Sequence, residues 1–125
     1  MTPCNWKLNL DRDKFLAQHW QTKALLIRNA ISEFKPPVSS HELAGLALEE
    51  QVESRLIECR DNAWKVHHGP FHTDDFDRDP PWTLLVQAVD HYFPEVAALR
   101  KLIDFIPQWR VDDIMVSYAV EGGSV

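Results

Sequence analysis

The hydrophobic pattern in the first half of the chain predicts two helices, each preceded by a residue that can cap it. The first occupies residues 11–20 and begins with Asp11, a favourable N-cap residue. The second covers residues 41–48 and is capped by Ser39 or Ser40. The positions at helical spacing are Phe15, Leu16 and His19 in the first helix and Leu43, Leu46 and Ala47 in the second. We expect the apolar positions of the second helix to be buried.

The middle of the chain changes to patterns typical of strands. Two alternating segments are separated by a polar turn, and together they predict a β-hairpin closed through Arg60 to Asn62 and ended by Gly69-Pro70. Earlier in the chain, the compact apolar run from Ala24 to Arg28 fits a buried strand. Lys35-Pro-Pro-Val38 then interrupts regular structure. In order, the predicted elements are a buried strand at residues 24–28, hairpin strands at 52–59 and 63–68, and an ordered surface loop at 71–81.

The second half is predicted to form two packed helices and a long strand. The first helix opens at Trp82, and Pro94 starts a second helix that Pro107 stops. Their apolar stripes are Leu84, Leu85, Ala88, Val89 and Tyr92 in the first, and Val96, Leu99, Leu102 and Ile103 in the second. Residues 109–120 are rich in β-formers and predict a strand ended by Gly122-Gly123. Since such a strand would continue into a sheet, the chain is expected to be the front part of something larger.

Composition indicates a globular domain with one core: 125 residues, 45% of them hydrophobic and 26% charged. No apolar run approaches the ~20 residues of a membrane span, and the N-terminus lacks a signal segment, so a cytoplasmic protein without membrane contact is expected. Cys4 and Cys59 are then expected to be free thiols. A net charge of −6 argues against direct nucleic-acid binding. An acidic surface suits a basic partner, but it also serves solubility alone.

The histidines do not form a convincing metal site. His67 and His68 are neighbours on a predicted strand and therefore point to opposite faces. His72-Thr-Asp74 is a literal His-x-Asp, the local part of a two-histidine, one-carboxylate iron site. Such a site also requires a distant histidine on an adjacent strand, whereas His91 lies in a predicted helix. A solvated loop is the favoured interpretation of His72-Thr-Asp74.

Other catalytic arrangements are also missing from the sequence. It contains no Gly-rich phosphate loop, no Cys-x-x-Cys and no Gly-x-Ser-x-Gly, so nucleophilic catalysis has no candidate. Asp112 and Asp113 face opposite ways on a strand, which favours one solvated carboxylate and one that caps or pairs with Arg110. The residues alone therefore indicate a soluble α+β domain without an identified catalytic group.

Four segments of the chain resemble the opening section of the bacterial ribosomal oxygenases, which are JmjC-type cupin proteins. The segments are Ser40-His-Glu-Leu-Ala-Gly-Leu-Ala47, His68-Gly-Pro-Phe71, Trp82-Thr-Leu-Leu-Val-Gln-Ala-Val-Asp-His91 and Trp109-Arg-Val-Asp-Asp-Ile-Met-Val-Ser-Tyr118. The resemblance implies an enzyme dependent on iron(II) and 2-oxoglutarate that hydroxylates an arginine of a large-subunit ribosomal protein. It also implies an α+β fold, in which N-terminal helices and a hairpin lead into the first strand of a double-stranded β-helix that is incomplete in this chain.

The resemblance makes residues 1–125 the N-terminal part of an oxygenase domain, with a helical and hairpin region at about 1–107 and the first barrel strand at about 109–120. In the family a Gly-Pro-His-x-Asp motif with two iron ligands follows this strand, whereas the present sequence stops at Val125. No metal ligand, catalytic residue or 2-oxoglutarate-binding basic residue is therefore expected within the chain. Alone, it is expected to bind neither cofactor and to be inactive.

Two residues of the last strand are candidates for the wall of the cosubstrate pocket. By alternation, Asp113, Met115 and Ser117 share one face, and in similar oxygenases the inward face of this strand lines that pocket. Met115 and Ser117 are therefore the candidate wall residues, although they could equally be ordinary barrel-interior side chains. The expected partners are a ribosomal protein substrate and further copies in a homo-oligomer. The alternative hypothesis is a non-catalytic acidic module that binds a basic partner through its loop.

Overall fold

The structure, a computed structural model, describes residues 6–125 and divides the chain into two compact units. Unit 1 comprises Met1–Pro36 with Leu99–Val111, and unit 2 comprises Pro37–Ala98 with Asp112–Val125. Cys59 is a free, half-buried thiol, as predicted, and Cys4 lies outside the described residues. Among residues 6–125, no helix is both long enough and apolar enough to cross a membrane.

Unit 2 is built on a four-stranded antiparallel sheet with the strand order β2-β1-β3-β4. The strands are β1 at Ser54–Arg60, β2 at Ala63–His68, β3 at Trp82–Val86 and β4 at Val116–Ala119. The predicted hairpin is confirmed: β1 pairs with β2, and Arg60 lies opposite Ala63. Asp61 and Asn62 have φ values of 52° and 62°, the left-handed conformation that two-residue hairpin turns favour.

The helix predicted from Trp82 is wrong, because Trp82–Val86 is strand β3 in the middle of the sheet. Every residue of β3 is buried, and the strand pairs with β1 on one side and with β4 on the other. A strand covered on both faces is apolar at consecutive positions, so the alternation that identifies half-exposed strands is absent. A single turn of 3-10 helix at Val89–His91 follows, entered through Ala88 with φ 53°.

Helix α2, at Ser40–Leu46 in unit 2, forms as predicted. Ser39 accepts a hydrogen bond from the Glu42 amide at 3.1 Å, and the Glu42 carboxylate accepts one from the Ser39 amide at 3.0 Å. The hydrogen bond from the Ser39 amide lowers the pKa of Glu42. Leu43 and Ala47 are buried, while Leu46 is half-buried. The helix packs beside β3 and β4 and contributes to the core of unit 2.

The region after His91 is less regular than predicted. Pro94 does begin a helix, α3, but α3 covers only Pro94–Ala97 and continues as 3-10 helix through Ala98–Ile103. The predicted strand at residues 109–120 is shorter than expected: Gln108–Arg110 is a 3-10 turn, and only Val116–Ala119 pairs in the sheet. The backbone at Ile114 bonds to Val89 and Asp90 instead of to a strand, which explains the late start of β4.

Unit 1 has little regular structure. Helix α1, at Arg12–Gln18, begins as predicted at Asp11, whose carboxylate accepts a hydrogen bond from the Lys14 amide at 3.1 Å. The strand predicted at residues 24–28 is wrong: this run has no ladder partner within the described residues, and Leu26 is 76% exposed. A strand requires a neighbouring strand, and the nearest pairing in this unit is a single bridge between Leu8 and Ile31.

Candidate functional site

The candidate wall residues lie at one edge of the sheet, on a surface that we name the Leu85 face. The strand registers align Arg55 of β1 with Leu85 of β3, and Leu85 with Ser117 of β4. Ser117 is exposed, and Met115, two residues before it, is 44% exposed. The structure thus brings Ser117 and Met115 to the same face, as strand alternation predicts. Their role in a cosubstrate pocket stays a prediction.

A series of polar contacts lies next to Met115 on the Leu85 face. Arg55 Nη2 lies 4.0 Å from the Met115 sulfur and donates a hydrogen bond to the Gln87 side-chain oxygen at 3.3 Å. Gln87 Nε2 in turn donates to Asp113 Oδ2 at 3.5 Å. The buried Nε of Arg55 has no hydrogen-bond partner among residues 6–125. These contacts restrict the position of the flexible Met115 side chain through its guanidinium neighbour.

The start of β4 is fixed by a buried carboxylate that sequence reasoning did not identify. Asp90 Oδ1 accepts a hydrogen bond from the Ile114 amide at 2.9 Å, and the Ile114 carbonyl accepts one from the Val89 amide at 2.9 Å. The side chain of Asp90 is 3% exposed. A buried hydrogen bond to a carboxylate is stronger than one between neutral groups. Asp90 therefore determines where residues 114–117 enter the sheet.

A second polar cluster, the Glu58 cluster, anchors the loop at residues 71–81 to the hairpin. Glu58 Oε2 lies 2.8 Å from His67 Nε2 and 3.1 Å from Arg78 Nη1, and Glu58 Oε1 lies 3.5 Å from Arg60 Nη2. Arg60 also donates hydrogen bonds to the carbonyl oxygens of Asp79 and Pro80. The hydrogen bond from His67, followed by the charge of Arg78, lowers the pKa of Glu58 against the opposing effect of its burial. These contacts hold the loop against the hairpin.

The His72-Thr-Asp74 motif lies at the start of a 3-10 turn. His72 is the N-cap of a 3-10 turn at Thr73–Phe76, and its backbone amide donates to Asp75 Oδ2 at 2.7 Å. His67 is engaged by Glu58, and His91 lies on a different 3-10 turn. Among residues 6–125, no three His, Cys, Asp or Glu side chains approach one another closely enough to hold a metal ion.

Three residues that make contacts around Met115 and Ile114 could not be identified from the sequence: Arg55, Gln87 and Asp90. Arg55 lies in a strand that the sequence predicts, whereas Gln87 and Asp90 lie in a segment that the sequence predicts to be a helix. Their contacts join residues that are more than twenty positions apart in the chain. No local pattern carries such information. The Val-Asp-His sequence around Asp90 offered only a carboxylate in an apolar context.

Comparison with known proteins finds ribosomal oxygenases that are similar to nearly the whole of this chain, which confirms the predicted resemblance, and no family model matches the sequence. The chain is 42% identical over 120 residues to ribosomal protein uL16 3-hydroxylase of Escherichia coli, covering 96% of this chain and 32% of that protein. It is 42% identical over 113 residues to a probable ribosomal oxygenase of Haemophilus influenzae, covering 89% and 28%. The chain thus spans about a third of the length of these relatives.

Solved structures agree with the sequence comparison. The fold matches that of YcfD, a ribosomal oxygenase from Escherichia coli, with a TM-score of 0.90 and 42% identity, over 96% of this chain and 33% of that one. A structure of YcfD with cobalt and 2-oxoglutarate matches with a TM-score of 0.91 and 41% identity, over 97% and 34%. The α+β fold class is confirmed by this match and by the four-stranded sheet.

Proposed function

We propose that this chain is the N-terminal part of an iron(II)- and 2-oxoglutarate-dependent oxygenase that hydroxylates an arginine of the large-subunit ribosomal protein uL16. The observation that carries the proposal is the 42% identity, with a TM-score of 0.90, along 96% of the chain to a ribosomal oxygenase. The relative's complex with cobalt, a substitute for iron, and 2-oxoglutarate supports the cofactor assignment. The arginine follows from the family resemblance in the sequence.

The contribution of these residues is structural. Among residues 6–125 no three His, Cys, Asp or Glu side chains lie close enough to hold a metal ion, so the proposal assigns the iron ligands to the remaining part of a longer protein. The family resemblance assigns the basic residue that binds 2-oxoglutarate to that part as well. Iron(II) with 2-oxoglutarate and oxygen supplies the oxidising power for hydroxylation in such enzymes. In this proposal, β4 is the first strand of a double-stranded β-helix, and the sheet of unit 2 extends one side of that barrel.

Within this arrangement, Met115 and Ser117 form the near wall of the cosubstrate pocket. Arg55 acts as a positioning residue, since its guanidinium lies against the Met115 sulfur and is held by Gln87. Asp90 sets the register by binding the Ile114 amide. The protein acts in the cytoplasm on a basic ribosomal protein, and the net charge of −6 on these residues favours approach of a basic partner.

The activity is tested with the purified product of the whole gene, supplied with iron(II), 2-oxoglutarate and recombinant uL16. We expect succinate to form in step with a mass increase of one oxygen atom on a single arginine of uL16. Met115→Ala should raise the KM for 2-oxoglutarate. Trp64→Ala is the control. Trp64 of β2 lies opposite Cys59, which is on the same side of β1 as Arg55, so Trp64 shares the Leu85 face and its truncation should leave this KM unchanged. Binding of uL16 without turnover of 2-oxoglutarate would instead support the non-catalytic acidic module.

A further inference from the structure

The two units carry opposite net charges, which the charge of the whole chain conceals. Unit 1 contains nine Lys and Arg residues and four Asp and Glu residues, so its net charge is +5. Unit 2 contains four basic and fifteen acidic residues, so its net charge is −11. The value of −6, which argues against nucleic-acid binding by the chain as a whole, is the sum of a basic and an acidic unit. A basic unit within an acidic chain suits an anionic partner of its own.

Most of the positive charge of unit 1 is not neutralised within the part of the chain that the structure describes. Arg12 pairs with Asp104, with 2.9 Å between Nη1 and Oδ1. Seven other basic side chains of the unit are exposed and form no ion pair among residues 6–125: Lys7, Lys14, Lys23, Arg28, Lys35, Lys101 and Arg110. Unpaired cations of this kind attract the phosphates of a nucleic acid.

Cationic and aromatic side chains of unit 1 come together in what we name the Trp109 patch, formed by Trp20, Lys23, Trp109 and Arg110. The Arg110 guanidinium lies 5.2 Å from the centroid of the Trp20 ring and 5.8 Å from that of Trp109. The Lys23 amide donates a hydrogen bond to the His19 carbonyl at 3.0 Å, which keeps Lys23 in the turn directly after Trp20. Trp109 is 83% exposed, so one large ring of the patch is open to a ligand.

The surroundings of Arg110 hold its guanidinium in place without neutralising it. In the amide orientation that satisfies both side chains, the Gln21 oxygen accepts hydrogen bonds from Arg110 Nη1 at 3.0 Å and from Nη2 at 2.6 Å. The amide is neutral, and the two rings attract the cation without removing its charge. A fixed guanidinium with further N–H groups to donate is well suited to bind a phosphate.

We propose that the Trp109 patch binds a single-stranded segment of RNA. Arg110 and Lys23 contact backbone phosphates, and a base stacks on the ring of Trp109. Proteins that bind single strands combine these two features, positive charge along the backbone and aromatic rings for the bases. A duplex suits the patch less well, because its bases already stack on one another.

This binding goes beyond the proposed function, and only the choice of RNA over DNA rests on it. The proposed substrate is a ribosomal protein, and ribosomal proteins lie next to RNA. An acidic peptide would also match the charge of unit 1, but it would leave the exposed ring of Trp109 without a role. The observations therefore favour RNA.

Fluorescence anisotropy of a labelled single-stranded RNA of about ten nucleotides tests the binding. The protein is the purified product of the whole gene, without iron, 2-oxoglutarate or uL16. We expect binding that weakens steeply as the salt concentration rises, and weaker binding to a duplex of the same sequence. No binding at low salt, or tighter binding to the duplex, would overturn the proposal. Neither result bears on the oxygenase assignment, because no cofactor or protein substrate is present.

Substitution of the exposed ring tests the stacking. Trp109→Ala should weaken RNA binding about ten-fold or more, whereas Trp109→Phe keeps a ring and should retain most of the affinity. Trp64→Ala in unit 2 is the matched control, since Trp64 is 56% exposed and should not affect the affinity. Equal affinities of Trp109→Ala and the unmodified protein would contradict the proposal.

Removal of single charges tests the phosphate contacts. Arg110→Gln and Lys23→Gln should each weaken binding and reduce the slope of log affinity against log salt by about 0.7. Lys65→Gln, at an exposed lysine of unit 2, is the control and should leave both quantities unchanged. If Arg110→Gln does not fold by circular dichroism, Lys23→Gln decides. An equal loss of affinity in Lys65→Gln and Lys23→Gln would overturn the site.

A peptide of glutamates tests the other class of anionic partner. It should compete only weakly with the RNA, because it offers no base to stack. Displacement of the RNA at an equal concentration of charge, together with full affinity of the peptide for the Trp109→Ala protein, would assign the patch to acidic peptides instead. RNA binding that is unchanged in every unit 1 variant would also overturn the proposal, because the RNA would then bind elsewhere.

Discussion

Unit 2 and unit 1 are stabilised in different ways. All the buried side chains among residues 6–125 belong to unit 2, where Leu56, Leu84 and Val86 of the sheet are at most 1% exposed. In unit 1 no described residue is fully buried. Unit 1 instead has contacts between aromatic rings and between a cation and a ring. The Phe15 and Phe105 ring centroids lie 6.1 Å apart, and the Arg12 guanidinium lies 5.2 Å from the centroid of the Phe105 ring.

This contrast indicates where the stability of the chain resides. Burial of apolar side chains contributes about 1.5–3 kcal/mol for each fully buried large residue, whereas a partly exposed aromatic or ionic contact contributes about 1 kcal/mol or less. Unit 2 should therefore unfold as the cooperative core. Unit 1 should exchange its amides faster and respond weakly to substitution.

The largest effect is expected from truncation of the sheet core. Leu84→Ala removes a side chain that is 1% exposed and should lower the free energy of unfolding by about 2–5 kcal/mol. The matched control is Leu26→Ala in unit 1, where the same substitution acts on a side chain that is 76% exposed and should change stability by less than about 0.5 kcal/mol. Urea midpoints provide the measurement, and equal losses in the two variants would remove the distinction between the units.

An intermediate effect is expected at Asp90 in unit 2. Asp90→Ala leaves the Ile114 amide without its acceptor and should cost about 1–3 kcal/mol. Asp90→Asn keeps an amide oxygen in a similar position and should cost less. Chemical denaturation of both variants tests the order. If Asn is as damaging as Ala, the negative charge of Asp90 matters more than its hydrogen bond to Ile114.

The Glu58 cluster gives unit 2 a dependence on pH. The pKa of Glu58 in the folded chain lies below its ordinary value of 4.5, first because of the hydrogen bond with His67. Its contribution to stability is therefore fully present above about pH 4.5 and is lost as the pH falls through the lowered pKa. Glu58→Gln should flatten the acid side of the unfolding free-energy profile relative to the unmodified chain. Glu53→Gln, at an exposed glutamate, is the control and should leave the profile unchanged.

The smallest effect is expected in unit 1. Phe105→Leu keeps an apolar side chain but removes the ring that contacts Phe15 and Arg12, and it should cost about 0.5–1.5 kcal/mol at most. The expected readout is faster amide exchange in α1 with little change in the urea midpoint of unit 2. A loss as large as that of Leu84→Ala would show that the two units unfold together.

The elements that could be predicted from the sequence are those specified locally. The caps at Asp11 and Ser39 and the turn at Asp61-Asn62 depend on residues within a few positions of one another. Strand β3 could not be predicted from its own residues, because it is buried by pairing with β1 and β4, which lie far away in the chain. For the same reason, alternation alone extended β4 back to residue 109, whereas contacts with Val89 and Asp90 delay its start.

The candidate site also has one part that could be predicted from the sequence and one part that could not. That Met115 and Ser117 share a face follows from the two-residue period of a strand, so the sequence was sufficient. The partners that surround them, Arg55, Gln87 and Asp113, come together only through the pairing of β1, β3 and β4. The Glu58 cluster likewise needs the hairpin register to bring His67 near the carboxylate, and the loop to deliver Arg78.

The most direct test of the oxygenase assignment is the mass of uL16 in the organism that carries this gene. Ribosomes isolated with and without the gene would be digested, and the arginine-containing peptides of uL16 compared by mass spectrometry. We expect one peptide to be heavier by a single oxygen atom, located on arginine, and to lose that oxygen when the gene is deleted. Identical uL16 peptide masses in the two strains, with the gene expressed in the first, would contradict the assignment.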